Sequence, residues 1–156
     1  MSTTTHHEQR LLLIEKVLLL KSISIFHETP ETVLAEVAEL LEEEDFEANT
    51  NIFEAGDEAQ CMYIIFKGQV RIHKGEHTFV VMKEGECFGE YALLDTETRS
   101  ASATTVSECL LLKMDQEPFY ELMESRIEVA KGIIKTLCRR LKAQNEKVVQ
   151  HSAEKK

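Results

Sequence analysis

The chain is expected to be an α+β protein: an antiparallel, jelly-roll-like β-roll flanked by N-terminal helices and C-terminal helices. Apolar residues recur at helical spacing in the first forty-odd residues and again after Asp115. Between them, short segments rich in β-branched, aromatic or other apolar residues (CMYIIF, VRI, TFVVM, SATTV, LLLKM) are punctuated by turn signals at Gly56, Gly68, Gly75 and Gly85. A length of 156 residues, with 43% hydrophobic and 29% charged residues, suits one compact soluble domain with terminal helices rather than two independent cores.

Residues 1–9 read as a disordered N-terminus and 10–44 as a helical segment. Arg10 to Ser22 is apolar at 11–14 and 17–20, with Glu15 and Lys16 interposed. A second helix starts with Thr29 as N-cap, Pro30 at the first helical position and Glu31 in the first turn. Its buried stripe is Val33, Leu34, Val37, Leu40 and Leu41, and Glu42-Glu43-Glu44-Asp45 reads as a solvated helix end, since negative charge is disfavoured at a helix C-terminus. Residues 45–116 form the β-roll. Residues 117–149 are helical: Asp115 with Pro118 opens a short helix through Met123, and Arg126 to about Val149 carries Ile127, Ala130, Ile133, Ile134, Leu137, Cys138 and Leu141 at helical spacing. Residues 150–156 read as a polar tail.

The net charge of −10 disfavours nonspecific nucleic-acid binding and docking on anionic membranes. With no basic recognition helix visible and the residues after the roll taken up by helices, no nucleic-acid partner is expected. LLLIEKVLLL is interrupted by Glu15 and Lys16, so no membrane insertion is expected. Cys61, Cys87, Cys109 and Cys138 form no CxxC pair and read as free thiols, and the chain reads as cytoplasmic.

For an enzyme the signals are thin. His73 and His77 flank the Gly75 turn without the paired H-x-H and following Glu of a cupin-like metal site. His6, His7 and His27 stand alone, and all the histidines are expected at the solvent. No serine or cysteine sits in a nucleophile elbow, and Glu90 has no second carboxylate paired to it. The expectation is no catalytic residue, no metal and no enzyme.

Binding chemistry concentrates in FGEYALLDTETRSASA, residues 88–103. Gly89 permits close approach to the main chain. Glu90 to Leu94 can form one helical turn whose first N–H groups favour an anion. Arg99 offers an always-charged fork suited to phosphate oxygens. Ser100, Ala101 and Ser102 leave backbone amides accessible, and Glu90 suits sugar hydroxyls better than a phosphate.

This stretch resembles the phosphate-binding cassette of the cyclic nucleotide-binding domains, F-G-E-x-A-L followed by a short loop, Arg, a small residue and Ala. The matches are Phe88, Gly89, Glu90, Ala92, Leu93, Arg99, Ser100 and Ala101. Upstream, IFEAGDEAQCMYIIFKGQVRI resembles the family's pattern around Gly56 and Gly68, and the likeness runs over roughly residues 12 to 142. The resemblance implies a cyclic nucleotide as ligand, with cAMP preferred because cGMP-accepting members often carry Thr where Ser100 stands, and with cGMP as the other candidate. It implies that Glu90 holds the ribose 2′-hydroxyl, that Arg99 holds the phosphate, and that amides of Gly89, Tyr91 or Ala92 and of Ser100 or Ala101 complete the cradle. It places Ile72 and Val80 against the purine and makes Arg139 or Arg140 the candidate lid from the last helix.

Two departures carry consequences. Thr98 replaces a frequent proline, which should loosen the loop. Asp95 and Glu97 add negative charge beside Arg99, and two readings are open: they solvate the loop, or they pair with Arg99 until a ligand arrives. The function this implies is a sensor or regulatory module that signals through its C-terminal helix. The alternatives are a cassette-bearing interaction module that no longer binds nucleotide and a cupin-like metalloenzyme. The broad apolar face of residues 11–20 suggests a partner surface for a second copy of the chain or for a regulated effector.

Overall fold

The structure is a computed structural model and describes residues 11–95 and 97–154. Helix α1 (Leu13–Lys21), a 3-10 turn (Ser24–Phe26) and helix α2 (Glu31–Ala38) lead into the strands. The strands are β1 (Glu42–Phe46), β2 (Asn51–Phe53), β3 (Cys61–Lys67), β4 (Val70–Lys74), β5 (His77–Met82), β6 (Cys87–Phe88), β7 (Ser102–Thr105) and β8 (Cys109–Asp115). A second 3-10 turn (Glu90–Leu93) lies between β6 and β7, and helices α3 (Gln116–Ser125) and α4 (Ile127–Glu154) follow β8.

The strands form two antiparallel four-stranded sheets, ordered β1-β8-β3-β6 and β2-β7-β4-β5. β3 and β8 lie side by side at the centre of the first sheet, and strand periodicity turns alternate side chains to opposite faces. Met62 and Ile64 of β3, with Leu112 and Met114 of β8, join the cluster built with the helices, including Leu20, Phe26, Leu34 and Phe119. Tyr63 and Ile65, with Cys109 and Leu111, face the other way and pack with Val70, Phe88 and Ala103. One sheet thus separates two cores, which is why CMYIIF and LLLKM read as continuous apolar runs rather than alternations.

Three readings of the sequence are corrected. Glu42 to Asp45 is not a helix end: α2 stops at Ala38, and EEEDF is strand β1, paired with β8 from Glu42↔Lys113 to Phe46↔Cys109. Partner strands supply backbone hydrogen bonds there, and Lys113 meets Glu44 at 3.7 Å, so tertiary pairing overrides the low strand propensity of acidic residues. Helix α2 takes Pro30 rather than Thr29 as N-cap, and α1 starts at Leu13. The supposed polar tail continues α4 to Glu154, while residues 1–9 and 155–156 lie outside the described residues.

His73 also departs from expectation. It is buried, with Nδ1 at 2.8 Å from the Gly75 carbonyl and Nε2 at 2.7 Å from Thr104 Oγ1, so it braces the β4–β5 hairpin. His77 is exposed and lies edge-on to Phe79.

Phe26 and Phe119 meet edge to face, centroids 5.9 Å apart and both fully buried, joining the N-terminal and C-terminal helical segments. Phe119→Ala is expected to cost about 3–5 kcal/mol of folding stability, read by chemical denaturation. A loss below about 1 kcal/mol would show that the helices do not share this core.

Candidate ligand site

The site begins with a backbone clamp. Residues 56–59, between β2 and β3, pair with the segment entering β7. Gly56 N–H donates to the Arg99 carbonyl at 2.8 Å, Arg99 N–H to the Asp57 carbonyl at 2.7 Å, and Ala59 N–H to the Glu97 carbonyl at 3.0 Å. Thr98 forms a bridge with Glu58, so the loosening expected from the missing proline is countered by bonds at both neighbouring residues.

Arg99 therefore leaves a fixed main chain, and its side chain turns inward to 8% exposure. Its guanidinium carbon lies 4.0 Å from the centroid of Phe53, a cation–π distance, and Nη2 donates to the Cys61 carbonyl at 2.7 Å. Nε is buried without a hydrogen-bond partner. Neither Asp95 nor Glu97 pairs with it: among the described residues Arg99 forms no ion pair with a carboxylate, so of the two readings of these acidic residues the internal counter-ion is not the one seen. A buried cation with an unsatisfied N–H is costly unless a charge partner is supplied.

Gly89 lies against this side chain. Its φ of +73° is left-handed, and a Cβ there would fall 2.4 Å from Arg99 Nη1. The same residue opens the 3-10 turn, in which Ala92 N–H is taken by the Gly89 carbonyl at 3.1 Å. Ala92 therefore cannot donate to a ligand in this conformation, which leaves Glu90 and Tyr91 as the turn's amides without a partner inside it.

Glu90 has a partner on each carboxylate oxygen. Arg140 Nη1 donates to Oε1 at 3.2 Å, and the Cys87 thiol faces Oε2 at 3.7 Å. Burial first, and then the neighbouring Glu90 charge, push the Cys87 thiol up to about 12. Partial burial would lower the Arg140 value, but the charge of Glu90 and its hydrogen bond, aided by Tyr91, leave it raised.

These groups surround a cavity of ≈ 480 Å³, within the range of small-ligand pockets. Of the residues expected from the sequence, Gly89, Glu90, Tyr91, Ala92, Arg99, Ser100, Ala101 and Ile72 line it. Val80 does not: it faces Ile72 across the β4–β5 ladder on the outermost strand and is 46% exposed. Neither lid candidate lines it: Arg139 is in an ion pair with Glu28, and Arg140 reaches only as far as Glu90 and Tyr91. Tyr91 is largely exposed, with its hydroxyl at 3.5 Å from Arg140 Nη1, so it is not a packing residue. Sequence reasoning missed Phe53, Ala59, Met82 and Cys87 in the lining. Phe53 lies three residues before the Gly56 turn, and that aromatic next to a turn was the available signal.

The site is thus a cavity in a β-roll that a buried arginine and a glutamate both line. The chain belongs to the cyclic nucleotide-binding domain family, whose sequence model matches residues 43–126. It is 27% identical over 132 residues to a CRP-like cAMP-activated global transcriptional regulator of Mycobacterium tuberculosis, covering 81% of this chain and 59% of that protein. It is 28% identical over 130 residues to the cGMP-dependent protein kinase 2 of Mus musculus, covering 77% of this chain and 17% of the kinase. The N-terminal domain of a transcriptional regulator from Streptomyces coelicolor superposes with a TM-score of 0.76 at 25% identity, over 82% of this chain and 92% of that one. The chain thus spans 59% of the regulator's length and a smaller part of the kinase. No helix among the described residues is long and apolar enough to cross a membrane.

Two outcomes test this geometry. Gly85 and Gly89 share a left-handed backbone, but a Cβ at Gly85 meets nothing within 4 Å. Gly85→Ala should lose about 1–2 kcal/mol from the backbone alone, and Gly89→Ala should lose more by denaturant titration because it also displaces Arg99. Equal losses would contradict the close approach of Arg99 to Gly89. In alkylation near neutral pH followed by peptide mass spectrometry, exposed Cys138 should label well before Cys87. The reverse order would be incompatible with a half-buried Cys87 thiol facing Glu90.

Proposed function

We propose that this domain binds a cyclic nucleotide, cAMP in preference to cGMP, and acts as a regulatory module rather than an enzyme. The observation that carries the reading is Arg99: a permanently charged, buried side chain with an unpartnered Nε and no carboxylate ion pair among the described residues. A phosphate supplies the charge and acceptor oxygens that this fork lacks. Glu90, in the same cavity, suits the ribose hydroxyl, and Ile72, Met82 and Phe53 offer apolar surface to the base. Amides of Gly89, Tyr91, Ser100 and Ala101 complete the cradle in this reading.

The names of the relatives support the ligand class but divide on the base, one being cAMP-activated and one cGMP-dependent. The preference for cAMP rests on Ser100, where a threonine would favour cGMP. Binding orders the cassette and biases the position of α4, passing the signal as a shift in populations. The described segment makes no nucleic-acid contact in this reading, on account of its net charge of −10. Leu12, which caps α1, and Ile14 and Leu18 within it are well exposed and provide the surface for a second copy or an effector in this reading. A cytoplasmic setting completes the proposal and rests on cysteines that form no disulfide framework.

The test is calorimetric titration with cAMP, cGMP and 5′-AMP, on the wild type and on Arg99→Ala. Wild type should bind cAMP most tightly and 5′-AMP most weakly, and Arg99→Ala should lose about 2–5 kcal/mol of binding free energy. Failure of the wild type to bind either cyclic nucleotide, or equal binding by the variant, would overturn the assignment.

A further inference from the structure

We propose that Asp95 and Glu97 are specificity-determining residues that select the ligand by its charge, favouring a singly charged phosphodiester over a doubly charged phosphate monoester. The inference rests on the nucleotide-binding reading above and adds the discrimination made at that site. It gives a role to two side chains that neither hold the sugar nor cradle the phosphate.

The charges that line the cavity do not balance. Arg99 is the one cation among the described lining residues, against the carboxylates of Glu90, Asp95 and Glu97. Glu90 is offset by a residue outside the lining, since Arg140 Nη1 donates to its Oε1 at 3.2 Å. Asp95 and Glu97 have no such offset: among the described residues neither forms an ion pair.

Both acidic residues are placed by their main chain. Asp95 N–H donates to the Tyr91 carbonyl at 2.8 Å, at the end of the 3-10 turn, and Ala59 N–H donates to the Glu97 carbonyl at 3.0 Å. Arg99 is anchored two residues on, through its N–H to the Asp57 carbonyl at 2.7 Å. Separate backbone bonds thus hold the two carboxylates and the guanidinium around one cavity. The acidic side chains are exposed, so their fields act through water and each contributes modestly.

Arg99, buried and with Nε unpartnered, can offset one negative charge brought into the cavity. A phosphodiester brings one. A monoester brings nearly two at neutral pH, because its second ionisation lies near about pH 6. That second charge meets no further cation in the lining and is repelled by Asp95 and Glu97. Coulomb repulsion scales with ligand charge, so the two carboxylates oppose the monoester about twice as strongly as the diester.

The experiment is displacement calorimetry against cAMP with 5′-AMP and with its methyl ester, which is acyclic but carries a single phosphate charge. It is run at low salt, where surface charges are least screened. The proteins are the wild type, the double variant Asp95→Asn/Glu97→Gln, and Glu76→Gln, which removes an exposed charge at the β4–β5 turn, outside the cavity. The double variant should shift the affinity ratio of 5′-AMP to its methyl ester about three- to tenfold in favour of 5′-AMP. The fit of the methyl group is common to all three proteins and cancels from the comparison. Glu76→Gln should leave the ratio unchanged. If cAMP binds the wild type but the double variant leaves the ratio where it was, or Glu76→Gln shifts it equally, the charge filter is refuted while the binding reading stands. If the wild type binds no cyclic nucleotide, the binding reading fails and the filter falls with it.

Discussion

Arg99 has to stay charged at 8% exposure, and much of the site's construction follows from that requirement. Its backbone is clamped at both its N–H and its carbonyl by residues 56 and 57, so the side chain has one direction to take. In that direction it meets the Phe53 ring and the Cys61 carbonyl. Phe53 in turn is held by Tyr63 and Phe88, with ring centroids 6.3 and 6.0 Å away. The apolar core between the sheets therefore ends in an aromatic wall, and that wall is the seat of the cation.

Strand β3 joins that wall to the helical core. β3 supplies Tyr63 to the aromatic wall on one face and Met62 and Ile64 to the helical core on the other. β6 pairs with β3 at Tyr63↔Phe88 and Ile64↔Cys87, which fixes where Gly89 and the 3-10 turn begin. A shift in that register would move Gly89 away from Arg99 and bring a side chain against the guanidinium. The helices are not ornaments on a finished roll, since Leu93 at the end of the turn is fully buried in the cluster they form. Gln116 of α3 also donates to the Ala92 carbonyl at 2.9 Å. Helix α3 and the cassette are thus packed against each other.

The parts of this arrangement legible in the sequence are those governed by local chemistry. β3, β4, β5, β7 and β8 announced themselves through residue type and glycine punctuation, and the cassette through the spacing of Gly89, Glu90 and Arg99. The parts that were not legible depend on distant partners. EEEDF carries no strand signal and is a strand because β8 lies beside it. Arg99 sits after two acidic residues, so a local ion pair was one open reading, yet its side chain bonds Cys61, thirty-eight positions away. Arg139 and Arg140 are adjacent and indistinguishable by type. Only the direction in which α4 presents each one sends the first to Glu28 and the second to Glu90.

The charge balance of the cavity bears on which anion suits it. Glu90, Asp95 and Glu97 line it together with Arg99, within a chain whose net charge is −10. One guanidinium among three carboxylates matches a singly charged phosphodiester better than a doubly charged phosphate monoester, for which each carboxylate adds repulsion. The acidic residues around the arginine, which look like an obstacle to anion binding, thereby become a filter on anion charge.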